Sequence, residues 1–369
     1  MNQKFPISYA ASGVRYDIMD ALKRHAQTSG RHTAKYLRAF GATEIGASRG
    51  ESAYVWEEKD SFRAFVMEGL GTKNLVADAM YPITGKTYYD RIAQDTVAMI
   101  VNDLIIVGAA PMVVNAYFAV GDSRWFSDKK RVGDLVRGWA YACALAGATW
   151  GGGETPTLKG ILGPQVIDLA GSAVGIIRPK KRLMLGDKIT SGDAIVLLES
   201  NGIHANGLTL ARSIAQKFPK GYKTKLPDGT LYGEALLKPT RIYASYIQDL
   251  FAANLDIHYM VHITGHGWRK LMRAAQNFTY IIDTPGIPQP IFSFIHKHGH
   301  IDEPEMYKTF NMGAGFAVYL PQKQATRAID IAVKHHVRAW NAGYIKQGGK
   351  QVIIRPKNIV FSSETLAIR

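Results

Sequence analysis

The run YYDRIAQDTVAMIVNDLIIVGAAP, from Tyr88 to Pro111, constrains the fold more than any other stretch of the chain. Its apolar residues recur with helical spacing, and Gly108 and Pro111 mark its end. Val97, Ile100, Val101, Leu104 and Ile105 cover so much of its circumference that the helix must be largely buried. Yet Asp95, Asn102 and Asp103 sit among them. Buried acids are uncommon unless paired or metal-bound. At 3.6 residues per turn, Asp95 and Asn102 point the same way, about 20° apart and roughly 10 Å apart along the axis, with Asp103 rotated further. That is too far for one shared metal ion. It suits an elongated site, such as a triphosphate with its Mg²⁺, or a set of capped or salt-bridged acids.

A chain of 369 residues with 47% hydrophobic content exceeds one small core, so two domains are expected. Upstream of the long helix, Tyr16 to Gln27 reads as a helix, and Ser52 to Met67 as two short strands around the charged turn EEKD. Downstream come the strand PMVVNAYFAV, the helix DKKRVGDLVRGWAYACALAGA, the segment TWGGGETP and the strand QVIDLAGSAVGII. TWGGGETP reads as a turn too glycine-rich for regular structure. RPKKRLMLGDKITSGD then breaks the pattern, which places a boundary near its start: residues 1–178 form one domain and 179–369 the other. In the second domain, AIVLLESNGIHANGLTLARSIAQKF reads as strand, loop and helix, and MVHITGHGWRKLMRAAQ repeats that order. MYKTFNMGAGFAVYLP reads as a glycine-interrupted strand, QATRAIDIAVKHH as a helix, and KQVIIRPKNIVF as β structure.

Charge and cysteine content narrow the function. The formal net charge is +15, which favours anionic partners, phosphorylated metabolites among them. The basic residues are dispersed apart from Arg178 to Arg182, with no basic stripe interleaved with aromatics, so a nucleic-acid partner is not expected. The single cysteine, Cys143, excludes an intrachain disulfide and reads as a small core residue on a helix. The opening MNQKFPISYAASG carries no apolar signal region, and no apolar run reaches membrane-span length. A cytoplasmic setting is expected.

Three glycine-rich segments carry the candidate chemistry. MEGLGTKNLV, from Met67 to Val76, places Gly69, Gly71, Thr72 and Lys73 between a strand and a helix, without the usual phosphate-loop spacing. GGGETP lets the backbone approach a ligand closely, and Glu154 after it suits a metal ligand, a base or an exposed turn residue. Asn206 and Gly207 open a helix whose free N–H groups favour an anion, with His204 in the loop before it. His262, Thr264, Gly265 and His266 precede the next element in the same manner. These residues point to a two-domain α/β protein that binds phosphates, with Mg²⁺ as a fitting companion.

Seven segments in order resemble the aminoimidazole ribonucleotide synthetase family, the phosphoribosylformylglycinamidine cyclo-ligases. They are GLGTK, QDTVAMIVNDLIIVGAAP, GGGETP, SNGIHANGLTLAR, LLKPTRIY, HITGHG and EMYKTFNMGAGFAVYLP, and the likeness spans roughly residues 9 to 345. The resemblance implies two α/β domains, with the N-terminal sheets of two subunits pairing into a barrel and a C-terminal α/β sandwich. It implies an ATP-dependent ring closure in purine synthesis through a phosphorylated amide. It implies catalytic roles for Lys73, Asp95 and His204, and ATP contacts from Gly69, Gly71, Thr72, Lys73, Asn102 and Asp103 and from Gly152, Gly153 and Thr155. Asn206, Gly207, Thr240, Arg241, Thr264, Gly265 and His266 would face the substrate, and Asp95, Glu68 and Glu154 would serve Mg²⁺.

The chain departs from the family pattern at three places. Glu68 stands where the family has Asp, His266 stands where it has the middle glycine of TGGG, and FGATEIGASRGES replaces its glycine-rich ATP segment. These mark a divergent member and keep open a substrate-shifted or non-catalytic nucleotide-binding relative. Selenophosphate synthetase fits less well, because no cysteine lies near the start. Thiamine-phosphate kinase lacks a segment like MYKTFNMG.

Overall fold

In a computed structural model, residues 16–366 are described; the opening stretch read as free of a signal region lies outside them. Two sheets organise the chain. The first contains β1 (Thr43–Glu44), β2 (Tyr54–Glu57), β3 (Phe62–Gly69), β4 (Ala110–Val120), β5 (Thr149–Glu154) and β6 (Ile167–Ile177), in the order β1-β2-β3-β6-β4-β5. Only β4 and β5 run parallel; the other neighbours are antiparallel. The EEKD turn falls between β2 and β3 as the pattern predicts.

Helix α1 (Tyr16–Arg31) precedes this sheet, and α2 (Asn74–Thr84), α3 (Tyr89–Ile105) and α4 (Lys129–Ala146) complete the first half. Helix α3 packs on β3 and β6, with α4 alongside it. Every residue of α3 from Asp95 to Ile105 is buried. Strand β3 alternates accordingly: Ala64 and Val66 point into this core, while Phe65 and Met67 face outward and are exposed. Cys143 is buried on α4, and burial pushes its thiol up to about 11, which fits the core role rather than a nucleophile.

The second sheet has the order β13-β12-β9-β11-β7-β10-β8. Its strands are β7 (Asp193–Glu199), β8 (Tyr259–His262), β9 (Phe278–Ile282), β10 (Ala314–Pro321), β11 (Ala339–Gln347), β12 (Gln351–Ile354) and β13 (Ile359–Ser362). Helices α5 (Leu208–Ala215), α6 (Tyr232–Leu236), α7 (Ala244–Ala252), α8 (Pro290–Gly299), α9 (Glu303–Thr309) and α10 (Ala325–Lys334) accompany it. The first sheet ends at Ile177 and the second begins at Asp193, so the Pro- and Lys-rich segment between them joins two α/β units.

Three local expectations are corrected. TWGGGETP is largely β5, a regular edge strand: a side chain at Gly153 would stand 2.1 Å from the Ala116 carbonyl oxygen, and Gly152, at φ +127°, sits at a register shift. Those glycines serve close strand pairing and a bulge rather than a loose turn. The segment after HITGHG is not an α-helix but a short 3₁₀ helix, Gly267–Met272, all of it buried. MYKTF belongs to α9, and the strand begins only at Ala314, after a turn built by the Asn311 side chain.

Candidate functional site

Two elements of the first half deliver most of the candidate residues. Strand β3 ends at Glu68 and Gly69, and the turn after it is tied to β6 by Leu70 N–H donating to Leu169 O at 2.8 Å. Gly71 takes φ +78°, a conformation glycine adopts without steric cost. The turn delivers Lys73 into the start of α2, where it is fully buried. Its Nζ donates to Asp95 Oδ1 on α3 and to the Lys238 carbonyl, each at 2.7 Å.

The loop 238–243 closes over this pair. Thr240 donates its N–H to Asp95 Oδ1 at 2.8 Å and adds its hydroxyl to the same oxygen. Two turns along α3, Asn102 clamps the same loop, donating to Arg241 O at 2.8 Å and accepting from Tyr243 N–H at 3.0 Å. Asp95 Oδ2 is buried and has no hydrogen-bond partner among the described residues. Burial raises Asp95 and lowers Lys73, and their mutual attraction opposes both shifts.

Asp103, further round α3, faces a different neighbourhood. His262 at the end of β8 donates its Nδ1–H to Asp103 Oδ1 at 2.6 Å, and its Nε2 is buried without a partner among the described residues. Burial alone would raise Asp103, but Lys270 and His262 outweigh it and hold the carboxylate well below its usual range. Glu68 shows the reverse: burial first, then the Asp103 charge, push it up to about 8 despite the opposing Lys270. Burial and the Asp103 charge thus favour the neutral form of Glu68.

These groups border a cavity of about 390 Å³. Glu68, Asp103, Asn206, Thr264, Gly265 and His266 line it, residues that the sequence reading divides among metal, nucleotide and substrate roles. Met19, Lys23 and Gln27 of α1 cover one side, and Glu51, Ser52 and Arg273 form another. His266 occupies φ +70°, a left-handed backbone that explains why glycine would suit the position. Its ring lies 3.8 Å from Asp20 Oδ2, and burial lowers its pKa to about 2, so it is neutral. His204, also at positive φ, is fully buried, and neither ring nitrogen has a partner among the described residues. Burial, then His262 and Lys73, keep it uncharged.

Some expected residues lie elsewhere. Gly152, Gly153, Glu154 and Thr155 are exposed at the sheet edge, and among the described residues the Glu154 carboxylate accepts only from the Thr155 N–H. Arg241 points to Glu199 and the His336 carbonyl. Gly207, at φ +72°, caps α5 where any side chain would strike the Phe310 ring. Conversely, Lys270 and Arg273 border the cavity, and neither was singled out from sequence. Lys270 is buried and donates to Thr264 Oγ1. A lysine in GWRKLM reads as surface; only the burial of the whole 3₁₀ turn shows otherwise.

Mg²⁺ keeps several waters and binds through one or two carboxylates plus phosphates. The unshared Asp95 Oδ2 fits that need. Glu68, Asp95 and Glu154 do not converge, and among the described residues no group of three or more His, Cys, Asp or Glu side chains could hold a metal ion.

Two layered α/β units around a buried acid–lysine seam define the class, and comparison with known proteins defines the family. The N-terminal domain pattern of AIR synthase related proteins matches residues 50–177, and their C-terminal domain pattern matches residues 190–355. The chain belongs to the AIR synthase related family. It is 37% identical to a phosphoribosylformylglycinamidine cyclo-ligase of Carboxydothermus hydrogenoformans, over 94% of this chain and 98% of that protein. It is 32% identical to another of that name from Methanothermobacter thermautotrophicus, over 94% and 96%. The solved HypE–HypF complex shares the fold, with a TM-score of 0.59 at 14% identity, covering 85% of this chain and 92% of that one. No helix among the described residues is long and apolar enough to cross a membrane.

Proposed function

We propose that the protein is a cyclo-ligase that closes formylglycinamidine ribonucleotide to aminoimidazole ribonucleotide, releasing ADP and phosphate. The observation that carries this reading is the near full-length likeness to two cyclo-ligases. The buried seam and the cavity beside it supply matching chemistry. An amide oxygen is a poor leaving group; transfer of the γ-phosphoryl group makes it a good one. The neighbouring amidine nitrogen then attacks the formyl carbon, the C–O bond breaks, phosphate departs and the nitrogen loses its proton.

Such a reaction depends mostly on positioning and on stabilising phosphoryl charge. Lys73 brings a desolvated ammonium to that charge, held in place by Asp95 and the Lys238 carbonyl. Asp95 Oδ2 would hold Mg²⁺, which when bound neutralises phosphoryl oxygens. Thr240 and Asn102 fix the loop that roofs the seam, and α1 shields the cavity from water. His204, neutral and unpartnered among the described residues, is read as a group that meets substrate. The outward face of the first sheet, with Phe65, Met67 and Met112 exposed, is read as the surface on which a second copy completes a barrel. A cytoplasmic setting accords with this metabolic role.

Purified protein with Mg·ATP should release ADP only when formylglycinamidine ribonucleotide is present. ADP release that ignores that compound, or none from folded protein, would overturn the reading.

A further inference from the structure

The segment FGATEIGASRGES, which stands in place of the family's glycine-rich stretch, has no part in the reaction as proposed, yet its last residues reach the cavity. Gly50, Glu51 and Ser52 line it, and they come from the first unit. Two residues of the second unit grip them. Tyr259, at the start of β8, is fully buried, and its hydroxyl donates to the Glu51 carboxylate, 2.9 Å from each oxygen. Arg273 follows the buried 3₁₀ turn and commits all three guanidinium nitrogens to this segment. Its Nε and Nη2 donate to the Gly50 carbonyl at 3.2 and 2.9 Å, and its Nη1 donates to the Ser52 hydroxyl at 2.7 Å. Nε also stands 3.5 Å from Glu51 Oε2, and the Glu51 side chain is 0% exposed.

A buried carboxylate persists where charge-assisted hydrogen bonds and a cation satisfy it. Glu51 has both, and they come from the other unit. The planar fork of Arg273 meets a carbonyl, a hydroxyl and a carboxylate at once, which the point charge of a lysine cannot. The two gripping residues also sit on elements that carry the rest of the cavity. Strand β8 ends at His262, which holds Asp103, and the loop from Thr264 to His266 lies between that strand and the turn before Arg273. We propose that Tyr259 and Arg273 are positioning residues that bolt Glu51 and its neighbours to the second unit and so fix the width of the cavity in which substrate is held. The inference rests on the cyclo-ligase reading above and sharpens it. Both residues act through the wall they hold.

Steady-state kinetics of the full chain, with hydrogen exchange of residues 46–53, tests this. Tyr259→Phe removes one hydroxyl. It should raise KM for formylglycinamidine ribonucleotide about tenfold, the scale of one hydrogen bond to a charged group, and leave kcat within about twofold. Exchange at 46–53 should quicken in the same variant. Glu51→Ala should raise KM at least as far, and adding Tyr259→Phe to it should raise KM no further, because the hydroxyl acts through that carboxylate. A loss of kcat at unchanged KM would overturn the inference, as would additive rises in KM or unaltered exchange. Should Tyr259→Phe fail to fold, Arg273→Lys decides by the same readings of KM, kcat and exchange. A wild-type chain that does not turn the compound over removes the cyclo-ligase reading; exchange at 46–53 then decides alone, quickened in Tyr259→Phe for the inference and unchanged against it.

Discussion

Two aspartates of one helix, eight residues apart, each face a lysine, yet they have become different devices. Asp95 and Lys73 are wholly buried, in direct contact at 2.7 Å, and locked by a loop from the second half of the chain. Asp103 and Lys270 flank a cavity with Glu68; a histidine binds the aspartate and a threonine binds the lysine. The first pair is a closed ion pair with one free oxygen. The second is a cavity wall of mixed charge. Burial with a partner holds an ion pair rigid, whereas burial against a cavity leaves its charge available to a ligand.

The sharpest way to break the comparison is at Asp95. Asp95→Asn should lower turnover by about 10²–10³-fold, the scale for losing one preorganised charge contact, with the fold retained. Wild-type kcat in that variant would remove Asp95 from the site. Lys73→Met should be the most destabilising change, at about 3–5 kcal/mol, because it leaves a buried carboxylate unpaired. Combining it with Asp95→Asn should recover part of that loss, and denaturant unfolding of the cycle reads the coupling. Purely additive losses would mean that the pair is not the unit described.

How much of this was legible follows from the same residues. Helix α3 announced itself, because an apolar period of 3.6 with acids inside it has few other solutions. Glu68, Asp103, Asn206 and the TGHG loop were each singled out from sequence in separate roles; that they line one cavity is visible only in the fold. The GGG strand was missed because glycine carries no side-chain alternation; its pairing is dictated by how closely β5 approaches β4. Lys270 was missed because a lysine betrays no burial from sequence. The strand orders of both sheets were beyond local pattern, since they arise from contacts between segments far apart in the chain.

Smaller effects sharpen the contrast. Met67→Lys, on the outward sheet face, should weaken self-association by at least about tenfold and leave the seam intact, as read by light scattering. An unchanged oligomeric state would remove that face as the pairing surface. The smallest effect concerns pH. Glu68 has a folded pKa raised from 4.5 to about 8, so the folded chain holds a proton that the unfolded chain releases across that range. Wild-type stability should therefore fall as pH rises from about 4.5 to about 8, with a slope below the roughly 1.4 kcal/mol per unit limit for one proton. Asp103, depressed instead, contributes stability that is lost only as pH drops below its unfolded value near 3.8, outside that window. Glu68→Gln should flatten the upper slope in thermal unfolding; an unaltered slope would assign it to other groups.

The central claim is that a phosphoryl group passes to the formyl oxygen before the ring closes. Formylglycinamidine ribonucleotide carrying ¹⁸O in its formyl group tests this directly, with mass analysis of the released phosphate. The account predicts that the label leaves in inorganic phosphate as aminoimidazole ribonucleotide forms. Label appearing in water, with unlabelled phosphate beside ring-closed product, would contradict it.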